Sequence, residues 1–207
     1  MDKTPDTYKQ ETIRAYDAFP DEFEEKFGNF LERELLEDVE LFLGVIPRSG
    51  RILDIGSGTG NQALYFAKRG YDVTCIDLSE KMIERCKEKG LRALLMDYER
   101  MEFFPGTFDG VWAYCSLIHS PKKNLPRTLE TIKRILRPRG AFFLGMKQGQ
   151  GEGFRVQDEY PGVKRYFALY ENDELQEYFK WVFIVQHASK TEHGEGKVYL
   201  NYLLNKK

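Results

Sequence analysis

Residues 53–61 read LDIGSGTGN, an acidic residue followed by three glycines at alternating positions. Gly56, Gly58 and Gly60 allow a tight backbone turn and let a ligand approach without Cβ interference. Asp54 sets the polarity of that ligand. A dinucleotide pyrophosphate would be repelled by a carboxylate at the strand end, whereas a ligand carrying cationic groups suits it. Two more carboxylates follow, Asp77 in VTCIDLS and Asp97 in LLMDYE, each closing a short apolar run. One carboxylate can accept two hydroxyl hydrogen bonds at once.

His119, in SLIHSP, has an ordinary pKa suited to a general base near neutral pH, and its competing role is structural, bonding to backbone and shaping the loop before Pro121. Cys115 reads as a small buried apolar residue rather than a nucleophile, because no Lys or Arg immediately beside it would lower its pKa. Histidines elsewhere in the chain have no spaced Cys or carboxylate partner, so no metal site is expected.

The elements that must position these residues alternate. Residues 28–44 carry apolar positions at helical spacing and predict one amphipathic helix. Strands are expected at 51–56, 71–77, 91–97, 108–116 and 141–147, with Ser79 as a helix N-cap and Gly70 and Gly90 as helix stops. Strands separated by helices imply parallel pairing and helices on both faces, with ligands beyond the carboxyl ends of the strands. Residues 148–167 read as a long loop rich in Gly and charge, followed by a helix and a terminal antiparallel hairpin.

These motifs resemble those of the class I S-adenosylmethionine-dependent methyltransferases, small-molecule type, over roughly residues 8 to 207. The resemblance implies an α/β fold: a doubly wound, Rossmann-like, mostly parallel seven-stranded sheet with an antiparallel C-terminal hairpin strand. It implies one domain, with an N-terminal helical cover (1–50), a cofactor-binding core (51–147), a substrate loop (148–167) and a closing helix and hairpin (168–207). The implied cofactor is S-adenosyl-L-methionine, with S-adenosyl-L-homocysteine as product. Asp54, Gly56, Ser57, Gly58 and Gly60 would hold its methionine part, Asp77 its ribose, and Leu78, Met82, Asp97 and Tyr98 its adenine. Tyr16 from the cover and Tyr114 would also reach it, while Phe23 stands where the family often has a tyrosine. Cys115 and Ser116 would line the methyl-transfer region, and Arg155, Arg165 and Tyr166 would meet an anionic or aromatic substrate. Arg139 stands where a second glycine is common in the turn before the fifth strand.

Composition fits this picture. The chain has 207 residues, 31 Lys+Arg against 33 Asp+Glu, and a net charge of -2. That balance argues against a nucleic-acid partner and points to a small-molecule substrate. Three cysteines without a CxxC pair read as reduced intracellular thiols, and no apolar stretch reaches the length of a membrane span. A soluble cytoplasmic enzyme moving a methyl group in line onto an O, N or C nucleophile is therefore expected. The alternatives are a catalytically silent cofactor-binding protein or partner subunit, and an NAD-dependent oxidoreductase. Oligomeric state is not legible in the sequence.

Overall fold

A computed structural model describes residues 6–193 and 196–207. Four helices precede the sheet: α1 (Thr7–Ala18), α2 (Pro20–Phe27), α3 (Phe30–Glu34) and α4 (Leu36–Gly44). The single helix expected over 28–44 is therefore two, broken at Leu35, whose φ of −125° and ψ of 11° leave the helical region. The chain then alternates: β1 (Arg51–Ile55), α5 (Asn61–Lys68), β2 (Asp72–Asp77), α6 (Glu80–Glu88), β3 (Arg92–Leu95), β4 (Phe108–Tyr114), α7 (Leu125–Ile135) and β5 (Leu136–Lys147). After β5 come β6 (Glu152–Val156), β7 (Lys164–Ala168), α8 (Asn172–Phe179), β8 (Phe183–His193) and β9 (Lys197–Lys206).

The main sheet has seven strands in the order β3-β2-β1-β4-β5-β9-β8, with β1 to β5 parallel and β9 antiparallel to both of its neighbours. This is the expected doubly wound arrangement. Alternation along the central strands divides the core between two faces: Leu53, Val111, Phe142 and Leu144 join one apolar cluster, and Ile52, Trp112, Ala141 and Phe143 the other. Residues 148–167 depart from the expected loop. They form the antiparallel hairpin β6–β7, in which Phe154 pairs with Tyr166 and Arg155 with Arg165. One face of this hairpin packs on the cover, since the Tyr166 amide donates to Thr12 Oγ1 at 3.1 Å.

Local signals behave as their chemistry requires. Ser79 Oγ accepts from the Met82 amide at 3.1 Å and caps α6. Gly70 and Gly90 end their helices at φ of 89° and 76°. Arg139 sits at φ of 64°, so the residue occupying the common glycine position does adopt the left-handed conformation that glycine favours. Among the described residues, no helix is long and apolar enough to cross a membrane.

Candidate active site

The sheet order reverses between β1 and β4, and there the carboxyl ends of the strands diverge to leave a crevice. A cavity of about 570 Å³ occupies it. The glycine loop forms one wall. Gly56 and Ser57 donate their amides to the Ile76 carbonyl at 2.8 and 3.1 Å, which ties the end of β1 to β2. Gly56 has a φ of 64°, and a Cβ there would stand 2.3 Å from Ser116 Cβ, so loop and β4 end touch through the missing side chain.

Asp77 ends β2 on the same wall. Its Oδ2 accepts from the Gly58 amide at 3.0 Å and its Oδ1 from the Ser79 amide at 2.9 Å. Both oxygens are thereby aimed, and each keeps acceptor capacity for a further donor. Burial raises the Asp77 pKa against these bonds, which lower it. Leu78, Met82 and Tyr98 give this end of the cavity an apolar lining.

Asp54 is placed differently from the expectation. It lies behind the glycine loop and is not on the cavity wall, 2% exposed, and its Oδ2 has no hydrogen-bond partner. Its side chain shares the strand face of Ile52, so the pleat turns it inward. Burial, then the neighbouring Cys86 and Asp77, hold its pKa well above the usual carboxylate range. Gly60 is also set back, with a Cβ there meeting Cys86 Sγ and Leu91 Cδ1 at 2.8 Å. Asp97 is spent on the cover: its Oδ2 accepts from Lys9 Nζ at 2.8 Å and its Oδ1 from the Glu99 amide at 2.9 Å.

The opposite wall is built from the cover, the ends of β4 and β5, and the β6–β7 hairpin. Here Arg165 donates to the Tyr16 hydroxyl at 2.9 Å. His119 Nδ1 is 2.7 Å from the Tyr166 carbonyl, which can only accept, so Nδ1 carries the proton and Nε2 is an acceptor. Tyr16 therefore donates to His119 Nε2, 2.8 Å away. The chain of donors runs one way, from Arg165 through Tyr16 and His119 to a backbone carbonyl. Burial, then the field of Arg165, push the His119 pKa down to about 3. The imidazole is neutral and its lone pair is engaged.

Cys115, Ser116 and Tyr114 line the cavity as expected. Burial pushes the Cys115 thiol up to about 12, which keeps it protonated. Two expected substrate contacts lie elsewhere. Arg155 is exposed on β6 and off the wall, although as the cross-strand partner of Arg165 it shares that residue's face of the hairpin. The Tyr166 ring packs between Tyr8 and Phe154, at centroid distances of 5.5 and 5.6 Å, and only its carbonyl serves the site.

Lys147 was not among the expected residues, yet it ends β5 on the cavity wall beside its cross-strand partner Tyr199. The strand-end rule that singles out Asp77 applies equally to AFFLGMK and would have found it. Lys89 was also missed. Its Nζ donates to the Glu24 carboxylate at 2.7 and 2.8 Å, the Thr59 carbonyl at 2.7 Å and Asn61 Oδ1 at 2.6 Å, fastening the cover to the glycine loop. No periodicity in the sequence encodes that contact. Among the described residues, no group of three or more His, Cys, Asp or Glu could hold a metal ion.

Comparison with known proteins agrees with this geometry. A methyltransferase domain family model matches residues 52–140, from β1 through the turn before the last part of β5. Residues 52–140 carry a methyltransferase domain. A 27-O-demethylrifamycin SV methyltransferase of Amycolatopsis mediterranei is 32% identical over 155 residues, covering 64% of this chain and 56% of that one. An S-adenosyl-L-methionine-dependent Diels-Alderase of Talaromyces variabilis is 32% identical over 126 residues, covering 55% of this chain and 42% of the relative. The chain thus spans about half the length of these curated relatives. In fold, it superposes on a Burkholderia thailandensis 1,6-didemethyltoxoflavin-N1-methyltransferase with a TM-score of 0.71 at 19% identity, over 100% of this chain and 93% of that one. That crystal structure contains 1,6-didemethyltoxoflavin and S-adenosylhomocysteine.

Proposed function

We propose that the methyltransferase domain binds S-adenosylmethionine and transfers its methyl group to an O, N or C nucleophile of a small molecule. The carrying observation is Asp77: a half-buried carboxylate at a strand end, held by two backbone amides on the wall of a cavity that Gly56 and Gly58 also line. The residues suit the cofactor's chemistry. Asp77 offers acceptors for a diol, Leu78, Met82 and Tyr98 an apolar surface for a ring, and the loop an approach free of side chains. Asp54 lacks any partner for its Oδ2, and its raised pKa relaxes when a cation comes near.

When bound, the cofactor supplies a methyl group already activated by its sulfonium. The protein's own residues align the acceptor and exclude water. Tyr16, Phe23, Phe30 and Phe167 close the cavity over its apolar side. His119 holds Tyr16 in place through the donor chain rather than meeting the acceptor, since Tyr16 takes its lone pair. On this reading His119 is a positioning residue. Turnover of labelled cofactor against a panel of metabolites, with product identified by mass gain, tests the assignment. Cofactor binding without label transfer to any member overturns it.

A second reading has a specific basis. With His119 engaged and Cys115 protonated, neither residue on the wall is a ready base, and one relative is named as a Diels-Alderase. A protein that binds the cofactor and does not spend its methyl group fits those observations too. Intact cofactor recovered after substrate conversion would identify it.

A further inference from the structure

Two cations on the cavity wall stand outside any ion pair. Lys9, Lys26 and Arg33, which also line it, each pair with a carboxylate. Lys147 and Arg165 do not, among the described residues. Arg165 is only 8% exposed. Its Nη1 and Nη2 reach neutral acceptors, the Tyr16 hydroxyl and Gln157 Oε1. The rings of Tyr16, Phe23, Tyr160 and Phe167 surround its guanidinium at 4.9 to 5.2 Å. Cation–π contacts offset part of the cost of burying this charge, and Glu159 acts on it through its field without forming an ion pair.

Lys147 is half-buried at the end of β5, with Nζ 5.8 Å from the Phe167 ring centre. Its charge is disfavoured by burial and by Lys197, Arg155 and Arg165. The one carboxylate on this side of the cavity, Glu159, pairs with Lys26 and is shared with the fields of Lys197 and Arg165, one negative charge among several positive ones. Asp77 lies across the cavity at the end of β2, on the other side of β1 in the sheet. Positive charge is thus concentrated at one end of an otherwise aromatic chamber.

We infer that the acceptor substrate is an anion, a small molecule with a flat apolar body whose acidic group lies between Lys147 and Arg165. The inference rests on the methyltransferase reading for the word acceptor, and on the two unpaired cations for the charge. An acidic group there restores the balance that the fold leaves open, and the aromatic walls take the remainder of the molecule. There is a thermodynamic corollary. A sulfonium entering beside two unpaired cations is repelled, so the anion and the cationic cofactor should bind with positive coupling.

The test uses aromatic carboxylates matched one to one with their neutral amides, titrated by calorimetry into the protein loaded with S-adenosylhomocysteine and into the unloaded protein. The carboxylates should bind and the amides should bind at least about tenfold more weakly. Lys147→Gln should erase most of that preference while leaving S-adenosylhomocysteine affinity as a control of folding. Amides binding as well as carboxylates, no member of either series binding, or an undiminished preference in Lys147→Gln would each overturn the proposal. Failure of S-adenosylhomocysteine to bind would instead overturn the methyltransferase reading, with charge preference still read on the unloaded protein.

Discussion

The hydroxyl of Tyr16 donates to His119 Nε2 at 2.8 Å while accepting from Arg165 at 2.9 Å, so one phenol joins the cover, the loop after β4 and the β6–β7 hairpin. Each group in this chain has its direction fixed by the carbonyl at its end. Removing any member leaves a buried donor or acceptor without a partner, which costs about 1–3 kcal/mol.

Tyr16→Phe should therefore destabilise the protein by about 1–3 kcal/mol and free the His119 lone pair. If His119 only positions Tyr16, then Tyr16→Phe and His119→Ala should lower turnover to similar degrees, and the double variant should lower it no further. Steady-state kinetics of the three proteins decides this. Additive losses would show that His119 has a direct part in the chemistry.

His119 also makes stability depend on pH. Its pKa falls from 6.5 to about 3 on folding, so between those values the unfolded chain binds a proton that the folded one does not. Stability then rises with pH across that window and this contribution is complete above about pH 6.5. Urea titrations of the wild type and His119→Gln should give a shallower slope with pH for the variant. Equal slopes from pH 4 to about 6.5 would contradict the neutral, buried imidazole.

Asp54 predicts a linkage of the same sign in binding. Its pKa is raised in the free protein, and a cationic ligand favours its ionised form. Cofactor binding should release protons, and affinity should increase as pH rises through the free protein's pKa. Calorimetry in two buffers of different ionisation enthalpy reads the protons directly. Asp54→Asn, nearly equal in size, should abolish the release.

Asp77→Ala should weaken cofactor binding by about 10- to 100-fold, the loss of hydrogen bonds to a charged acceptor, at roughly 1.5–3 kcal/mol. It also frees the Gly58 and Ser79 amides, so a small drop in melting temperature is expected with the fold retained. Calorimetry together with circular dichroism separates the two effects. Wild-type affinity in a folded variant would remove Asp77 from the site.

Arg139→Gly should raise stability by up to about 1 kcal/mol, because Arg139 holds a φ of 64° that glycine adopts without strain. Gly56→Ala should do the reverse and more strongly, since its Cβ would stand 2.3 Å from Ser116 Cβ. Chemical denaturation of both variants checks the pair of signs.

Much of this was legible in the sequence because the central strands are buried on both faces and end in residues of opposite character. LDIGSGTG, VTCID and the Ser79 cap each combine a strand end, a turn and a helix start within a few residues, so local rules suffice. The misplacements have a common cause. Asp54 and Asp97 occupy the expected strand ends, but the pleat and a distant lysine decide where their oxygens point. Lys9 is 88 residues from Asp97, a separation at which no periodicity operates. Arg155 and Tyr166 were assigned to a loop, where any residue can face a ligand. In a hairpin, alternate residues go to opposite sides, so Arg165 and Phe167 of β7 face the wall and the Tyr166 ring faces away, while Arg155 shares the Arg165 face but sits on the outer strand β6, off the wall.

The cover is fastened by Lys9 to Asp97 and Glu99, by Ser79 to Asp17, by Arg85 to Asp21 and by Lys89 to Glu24. The Arg85–Asp21 and Lys89–Glu24 pairs stand partly in solvent, where dissolved salt weakens them, whereas the Lys9 pairs are buried and are screened far less. Ionic strength therefore acts on the outer edge of the cover and spares its inner anchor at Lys9.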